Sequence, residues 1–168
     1  DRGFVYGQQK MIGHYNCSGD WAFYLEADEV LHEDELGDVY SAMESSLGDV
    51  DIEALYFDFF HFYGTPYQVG VAGYRQAPRI IRNSVRSIAP DGLFWVVLNE
   101  NKKGRYPKAK SANGHIYHYG HCRSVVKMSE KLKQVGKYWG ASHKSFKGYG
   151  SIDVAELRPF SGSHPSVM

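Results

Sequence analysis

Apolar side chains recur at helical spacing in three stretches of the chain, and this pattern predicts three helices. The stretches are residues 4–16, Leu36–Leu47 and Val125–Trp139. Acidic residues at 33–35 stand in the first turn of the second helix, where the helix dipole favours negative charge. Gly48 follows that helix directly and suits its C-terminal cap.

Short apolar and aromatic runs between these helices predict strands. They cover residues 21–25, 54–62, 79–82, 93–97 and 115–119. Residues 83–92 and 99–114 are rich in Asn, Gly, Pro and Lys and are expected to form loops. The order of elements predicts an α/β domain over residues 1–140, with an α+β arrangement as the alternative. We expect residues 141–168 to form an extended, partly mobile tail that packs on this domain.

Composition narrows the classes of function. The 19 Lys and Arg residues balance the 19 Asp and Glu residues, so we expect no sequence-independent binding of nucleic acid. Cys17 and Cys122 are too few for a disulfide scaffold, which favours a reduced, cytoplasmic protein. No apolar run approaches the roughly 20 residues of a membrane helix. Aromatic residues make up 15% of the chain, which favours a ring-lined cleft of the kind that binds sugars or bases.

The acidic stretch Glu26-Ala27-Asp28-Glu29 follows the first predicted strand. In an extended chain Glu26 and Asp28 point to the same side, and Glu29 points away. Ligands of α/β sheets gather outside the carboxyl ends of strands, and two carboxylates there can hold a divalent cation that neutralises a diphosphate. The alternative is a solvated acidic turn in front of an acidic helix.

Three histidines at a spacing of three, His115, His118 and His121, would form a zinc site on a helix. The Ile and Tyr residues between them favour a strand, in which His118 faces away from the other two. We therefore favour a single histidine of this segment acting with a distant carboxylate. A zinc hydrolase that uses all three histidines and a strand with hydrogen-bonded core histidines are the alternatives.

Asp58 and His61 lie inside an aromatic strand, where a polar side chain is costly to bury unless it is paired or functional. Asp58 could act as a general base that His61 orients. A purely structural hydrogen-bonded pair is the alternative.

Arg79 and Arg82 flank two isoleucines, so they face opposite sides of a predicted strand. One of them could bind a phosphate of the cofactor or substrate through its planar guanidinium group. A salt bridge to one of the acidic residues is the alternative.

Four blocks of the sequence, in this order, resemble blocks of the family 2 glycosyltransferases, and in particular of one bacterial branch. The blocks are SGDWAFYLEADEVLHEDEL, FHFYGTPY, RIIRN and IYHYGHCR, and the similarity extends from about residue 4 to residue 139. The resemblance implies a GT-A-type fold with a mixed sheet flanked by helices. It also implies metal-dependent, inverting transfer of a sugar from a nucleotide-diphosphate donor to a glycan or lipid-linked acceptor, as in polysaccharide biosynthesis.

The resemblance assigns roles to individual residues. Asp28 matches the metal-binding acid of the family's DxD motif, and Glu26 matches its first position, which contacts ribose or metal. His118 matches the histidine of the Tyr-His-Tyr-Gly block and is expected near the metal or the diphosphate. The implied cofactor is Mn²⁺ or Mg²⁺. The match does not identify the catalytic base, for which Asp58 and then Glu29 are the candidates.

The chain departs from the family at its start, where no segment matches the βαβ region that binds the nucleotide base. We therefore expect this chain to correspond to the C-terminal two thirds of such an enzyme and to bind nucleotide sugars weakly on its own. The uncovered sheet edge would favour a homodimer, and a lipid-linked acceptor would bring peripheral membrane contact. The alternative function is a non-catalytic carbohydrate-binding domain that stacks sugars on aromatic rings; its candidate rings are Trp21, Tyr63, Tyr67 and Trp95.

Overall fold

The computed structural model describes residues 4–139 and 146–168. The three predicted helices are present there as α1 (Phe4–Tyr15), α2 (Leu36–Leu47) and α3 (Val125–Trp139). No helix in these two ranges is long and apolar enough to cross a membrane. The first residues of the predicted tail, up to residue 145, lie outside the described part.

Ten strands lie in the described residues. They are β1 (Trp21–Phe23), β2 (Glu29–Leu31), β3 (Ala54–Tyr63), β4 (Gln68–Gly70), β5 (Gln76–Arg82), β6 (Ser87–Ile88), β7 (Val96–Leu98), β8 (Gly104–Arg105), β9 (Ala109–His121) and β10 (Leu157–Pro159). Short 3-10 helices cover Glu33–Glu35, Tyr149–Ser151 and Val154–Glu156. This mixed content of helices and strands confirms the predicted α/β class.

The long strand β3 forms the centre of the main sheet. Strand β9 runs parallel to it along its whole length, whereas β5 and β4 pair with it in the antiparallel direction. Strand β2 then pairs with β9, β1 with β5, and β10 with β4. A separate small sheet has the order β6-β7-β8. The β3–β9 pairing is decisive for the site, because it sets His61 directly beside His118.

The expected loop over residues 99–114 is partly wrong, because β9 already begins at Ala109 and is 13 residues long. The first residues of β9 are polar and do not show the apolar pattern that predicts a strand, and a bulge interrupts the pairing of β9 with β3. Tyr56 pairs with Ser111, but Asp58 pairs with His115, so the β9 side carries two extra residues. Asn113, in the left-handed region with a φ of 56°, accommodates this bulge.

One further expectation needs correction. The predicted strand over 93–97 is replaced by β7, because Leu93 and Phe94 instead close a turn by donating backbone hydrogen bonds to Asp91 Oδ1.

The described part of the C-terminal segment, from residue 146 onward, lies against the main sheet. Its residue Phe160 packs against Phe60 with ring centroids 5.1 Å apart, and β10 extends the sheet beside β4.

Side chains of β3 alternate between two layers of the core. Leu55 and Phe57 are fully buried in a cluster with Val39 of α2. Phe60 and Phe62 belong to the opposite side, in an aromatic cluster with the C-terminal segment. The aromatic excess of the sequence is thus used largely to pack these layers.

Candidate functional site

A cleft of about 1210 Å³ opens between α1, the segment that follows β1, the turn at residues 91–95 and α3. Its basic lining includes Lys10, Arg123, Lys127 and Lys131, and its acidic lining includes Glu26, Asp28, Asp91 and Glu130. The cleft therefore offers both carboxylates for a cation and cationic groups for a phosphate.

The acidic motif at its edge forms a turn rather than an extended strand. The backbone N–H of Glu29 donates to the carbonyl of Glu26 at 3.0 Å, and the N–H of Glu26 donates to Glu29 Oε2 at 3.1 Å. Glu26 and Asp28 both line the cleft, as expected, while Glu29 is buried. The turn, rather than the alternation of side chains along a strand, places Glu26 and Asp28 at the cleft and Glu29 in the interior.

Asp28 lies beside His118, which reaches it from β9. His118 Nε2 is 3.8 Å from Asp28 Oδ1. Lys131 of α3 donates to Asp28 Oδ2 at 2.9 Å and to the carbonyl of Gly120 at 3.1 Å. The two residues proposed as metal ligands from sequence are thus brought together, and an ammonium group accompanies them.

Gly120 leaves the space into which these three polar groups converge. A Cβ at this position would collide with His118 Nε2, and it would lie 2.7 Å from Asp28 Oδ2 and 2.8 Å from Lys131 Nζ. A side chain larger than hydrogen would therefore displace these groups, so the close approach of His118, Asp28 and Lys131 at this position requires glycine.

Charge and burial set the protonation of this cluster. Burial alone would raise the pKa of Asp28, but the hydrogen bond and the charge of Lys131 lower it below its usual range. Burial lowers the pKa of His118 to about 4, against the opposing charge of Asp28. Near neutral pH the cluster consists of a carboxylate, a neutral imidazole and an ammonium group.

His61 contacts the site from β3, on the side of the sheet away from Asp58. Its Nδ1 lies 2.9 Å from His118 Nδ1, and its Nε2 lies 3.0 Å from the backbone carbonyl of Tyr74. Sequence reasoning paired His61 with Asp58, because it could not foresee which residue of β9 would lie beside His61. His61 was expected to orient Asp58, but the side chain that it contacts is His118.

The three histidines of β9 separate in an unexpected way. A second bulge places His121 on the side of His118, with ring centroids 5.4 Å apart, so the expected opposite orientation of these two is wrong. His115 does face away: its Nδ1 lies 2.8 Å from Glu35 Oε1, and its ring stacks on Phe60 at 4.7 Å. A zinc site that uses all three histidines is incompatible with this arrangement.

Glu29 and Arg79 form a buried ion pair beneath the cleft. Arg79 donates from Nε and Nη2 to the two carboxylate oxygens at 2.9 and 2.7 Å, and both side chains are only 1% exposed. The rings of Tyr24 and Phe59 each lie 4.9 Å from the guanidinium carbon. Neither residue has a free polar group toward the cleft, which overturns Glu29 as a base and Arg79 as a phosphate ligand.

Arg82 is likewise occupied. It donates to the carbonyls of Ser46 at 2.7 Å, Ile52 at 2.8 Å and Asp49 at 3.0 Å, and it stacks on the Trp21 ring at 4.5 Å. These carbonyls belong to the end of α2 and the turn that follows, where helical hydrogen bonds run out. Arg82 therefore caps α2, which corrects its expected role in binding phosphate.

Asp58 accepts a hydrogen bond from Gln76 Nε2 at 2.9 Å. It pairs with His115 across the β3–β9 ladder, on the side of the aromatic cluster. Strand alternation thus separates Asp58 from His61, and the structure does not bring it together with Asp28. Asp58 is not among the residues that line the cleft, which argues against the expected role as base.

Glu26 remains on the cleft, paired with a lysine of α1. Lys10 Nζ lies 2.8 Å from Glu26 Oε1, and it also donates to the hydroxyl of Tyr24 and to the carbonyl of Gly92. Lys10 therefore balances the negative charge of Glu26, the residue at the first position of the acidic motif. Its contact with ribose or metal stays a prediction.

The aromatic platforms of the carbohydrate-binding alternative are mostly covered. Trp95 is 2% exposed, Trp21 is stacked by Arg82, and Tyr63 stacks on His121 at 4.3 Å. Tyr67, at 72% exposure, is open to solvent. Of the four rings named from the sequence, only Tyr67 is thus open enough to stack on a sugar, and carbohydrate binding by these four rings together is not supported.

The donor set fits a divalent cation only in part. Within residues 4–139 and 146–168, no group of three or more His, Cys, Asp or Glu side chains could hold a metal. Asp28 and His118 supply one oxygen and one nitrogen ligand. Cations such as Mg²⁺ are commonly held by one or two carboxylates together with substrate phosphates and water. The two residues therefore supply a small ligand set that water can complete in the free chain and that phosphate oxygens can complete when a diphosphate binds.

No protein-family model matches the chain, and no curated protein matches it significantly.

Proposed function

We propose that the chain is a metal-dependent glycosyltransferase domain. It would move a sugar from a nucleotide-diphosphate donor to a hydroxyl of a glycan or lipid-linked acceptor, with inversion. The observation that carries the proposal is the approach of His118 Nε2 to Asp28 Oδ1, 3.8 Å apart at the cleft. Two sequence motifs far apart in the chain, which resemble one family, thus converge on one point.

The residues of the cleft suit the departure of a diphosphate. Asp28 and His118 would hold a divalent cation, which supplies charge stabilisation to the leaving group. Lys131 and Arg123 place further positive charge next to Asp28, at 2.9 and 3.9 Å from its Oδ2. These cations can bind diphosphate oxygens once the carboxylate is engaged by the metal.

The acceptor hydroxyl also needs a proton acceptor, and neither Asp58 nor Glu29 fills this position. Asp91 and Glu130 line the cleft and are the better candidates. Asp91 closes the turn before Trp95, and Glu130 lies 2.9 Å from Lys127. A carboxylate at either position can take the proton as the new glycosidic bond forms.

The proposed cellular setting rests on the two cysteines. Cys17 and Cys122 are both free thiols, which supports a reducing, cytoplasmic setting.

Calorimetric titration with Mn²⁺ tests the metal site. Asp28→Asn should weaken binding by at least about tenfold, because it removes the charged ligand. Asp58→Asn is the matched control, since Asp58 lies on the other side of the sheet, and it should bind like the wild type. Equal Mn²⁺ affinity in the wild type and Asp28→Asn would refute the assignment.

A further inference from the structure

The hydrogen bonds of His61 determine where the protons of two imidazoles lie. The Tyr74 carbonyl can only accept, so His61 Nε2, 3.0 Å away, must carry the hydrogen. In a neutral ring the other nitrogen is then a bare acceptor. His61 Nδ1 therefore accepts the hydrogen of His118 Nδ1 across 2.9 Å.

The same logic continues to the far side of His118. Because its Nδ1 carries the hydrogen, its Nε2 is left with a lone pair. This is the nitrogen that lies near Asp28 and at the space kept open by Gly120. A chain of hydrogen bonds thus begins at a backbone carbonyl and ends in a nitrogen ready to bind a cation.

Packing holds the first imidazole of this chain in place. The His61 ring stacks on Phe59 with centroids 5.2 Å apart and meets the Tyr74 ring edge-on at 4.8 Å. Phe59 in turn lies under the guanidinium of Arg79.

We propose that His61 is a positioning residue, which fixes His118 in the tautomer with its hydrogen on Nδ1 and its lone pair on Nε2. The benefit to metal binding rests on the proposed function; the tautomer itself does not. Outer partners of this kind orient ligand imidazoles, and their loss typically weakens metal binding by about 10–100-fold.

Nitrogen NMR of the metal-free chain with ¹⁵N-labelled histidine tests the tautomer directly. The wild type should show His118 with a protonated Nδ1 and an unprotonated Nε2. His61→Phe should lose this preference, because the ring that accepts the Nδ1 hydrogen is gone. His115→Gln is the matched control, since His115 lies on β9 like His118 but faces the other side of the sheet, where its ring stacks on Phe60.

A rescue variant separates positioning from packing. In His61→Gln the amide oxygen can accept from His118 Nδ1 while the amide nitrogen donates to Tyr74. We expect His61→Gln to restore the tautomer and most of the Mn²⁺ affinity, and His61→Phe to bind Mn²⁺ about 10–100-fold more weakly. Thermal unfolding of each variant verifies that it is folded.

The outcomes are distinguishable. A wild-type His118 with its hydrogen on Nε2, or an unchanged tautomer in folded His61→Phe, would overturn the inference even if Mn²⁺ binds. The expected tautomer together with no Mn²⁺ binding would sustain the positioning by His61 and refute the metal site instead.

Discussion

Asp28 and Glu29 are neighbours in the chain, yet they meet opposite environments. Glu29 is 1% exposed and shares both oxygens with Arg79 in a sealed ion pair. Asp28 is 21% exposed and faces an ammonium and an imidazole whose distances, 2.9 and 3.8 Å, leave room for a further partner. The difference teaches that a buried carboxylate whose two oxygens are both bonded to one guanidinium supports a site, whereas a partly exposed carboxylate can act in it.

The strongest test of this contrast breaks the buried pair. Arg79→Met should reduce the free energy of unfolding by about 3–5 kcal/mol, because it leaves the Glu29 carboxylate buried without a partner. Urea denaturation measures the loss. Asp28→Asn serves as the control, and a larger loss there than in Arg79→Met would reverse the roles assigned to the two residues.

Acid should act on the cluster through the histidines. Burial lowers the pKa of His118 and of His121 to about 4, whereas an unfolded histidine titrates near its ordinary 6.5. Between these values the unfolded chain binds more protons, so stability falls as the pH drops through this window, by roughly 1–3 kcal/mol. The lowered pKa of Asp28 acts in the same direction at lower pH.

Denaturation at a series of pH values measures this slope. The double variant His118→Phe and His121→Phe should flatten it, while the Gly37→Ala variant of α2, which changes no titratable group, should leave it unchanged. An equally steep slope in the double variant would place the acid sensitivity elsewhere.

The open space at Gly120 gives a prediction for binding. Gly120→Ala should weaken Mn²⁺ binding by at least about tenfold, because the new methyl group fills the point where the polar atoms converge. Gly37→Ala in α2 is the control, since a Cβ there meets no atom within 4 Å. Calorimetry compares the two, and undiminished binding by Gly120→Ala would show that the cation binds elsewhere.

The smallest expected effect concerns Lys131. Removing an ammonium that competes for Asp28 should raise Mn²⁺ affinity by about threefold to tenfold in Lys131→Met, as expected from a pairing worth about 1 kcal/mol. Lys137→Met, on the same helix, is the control because Lys137 bonds to Gln134 instead. A loss of Mn²⁺ affinity in Lys131→Met would show that the lysine builds the site rather than competes in it.

The helices were predictable because their apolar spacing is local, as in Leu36–Leu47. Strand β9 was only partly predictable, since the bulge at Asn113 interrupts a polar start. The second bulge, which turns His121 toward His118, leaves no mark in the sequence. The non-local register that pairs His61 with His118 depends on how two distant strands meet, and so Asp58 was the wrong partner to expect.

The residues of the site also divide into those that the sequence predicts and those that depend on contacts between distant parts of the chain. Asp28 and His118 could be named from short motifs that a resemblance made recognisable. Lys131 and Gly120 were missed, because a lysine on an amphipathic helix and a glycine in a strand give no signal of convergence. Three charged residues that were expected to be functional have structural roles instead. Glu29 and Arg79 form the buried ion pair, and Arg82 caps α2.

The proposed function depends most on a divalent cation that is bound by both Asp28 and His118. Electron spin echo spectroscopy of Mn²⁺ added to the chain detects the nuclear coupling of a directly bound imidazole nitrogen. We predict such a coupling in the wild type and in His115→Gln, and its loss in His118→Phe. Bound Mn²⁺ without nitrogen coupling in the wild type, or an unchanged coupling in His118→Phe, would contradict the proposed site.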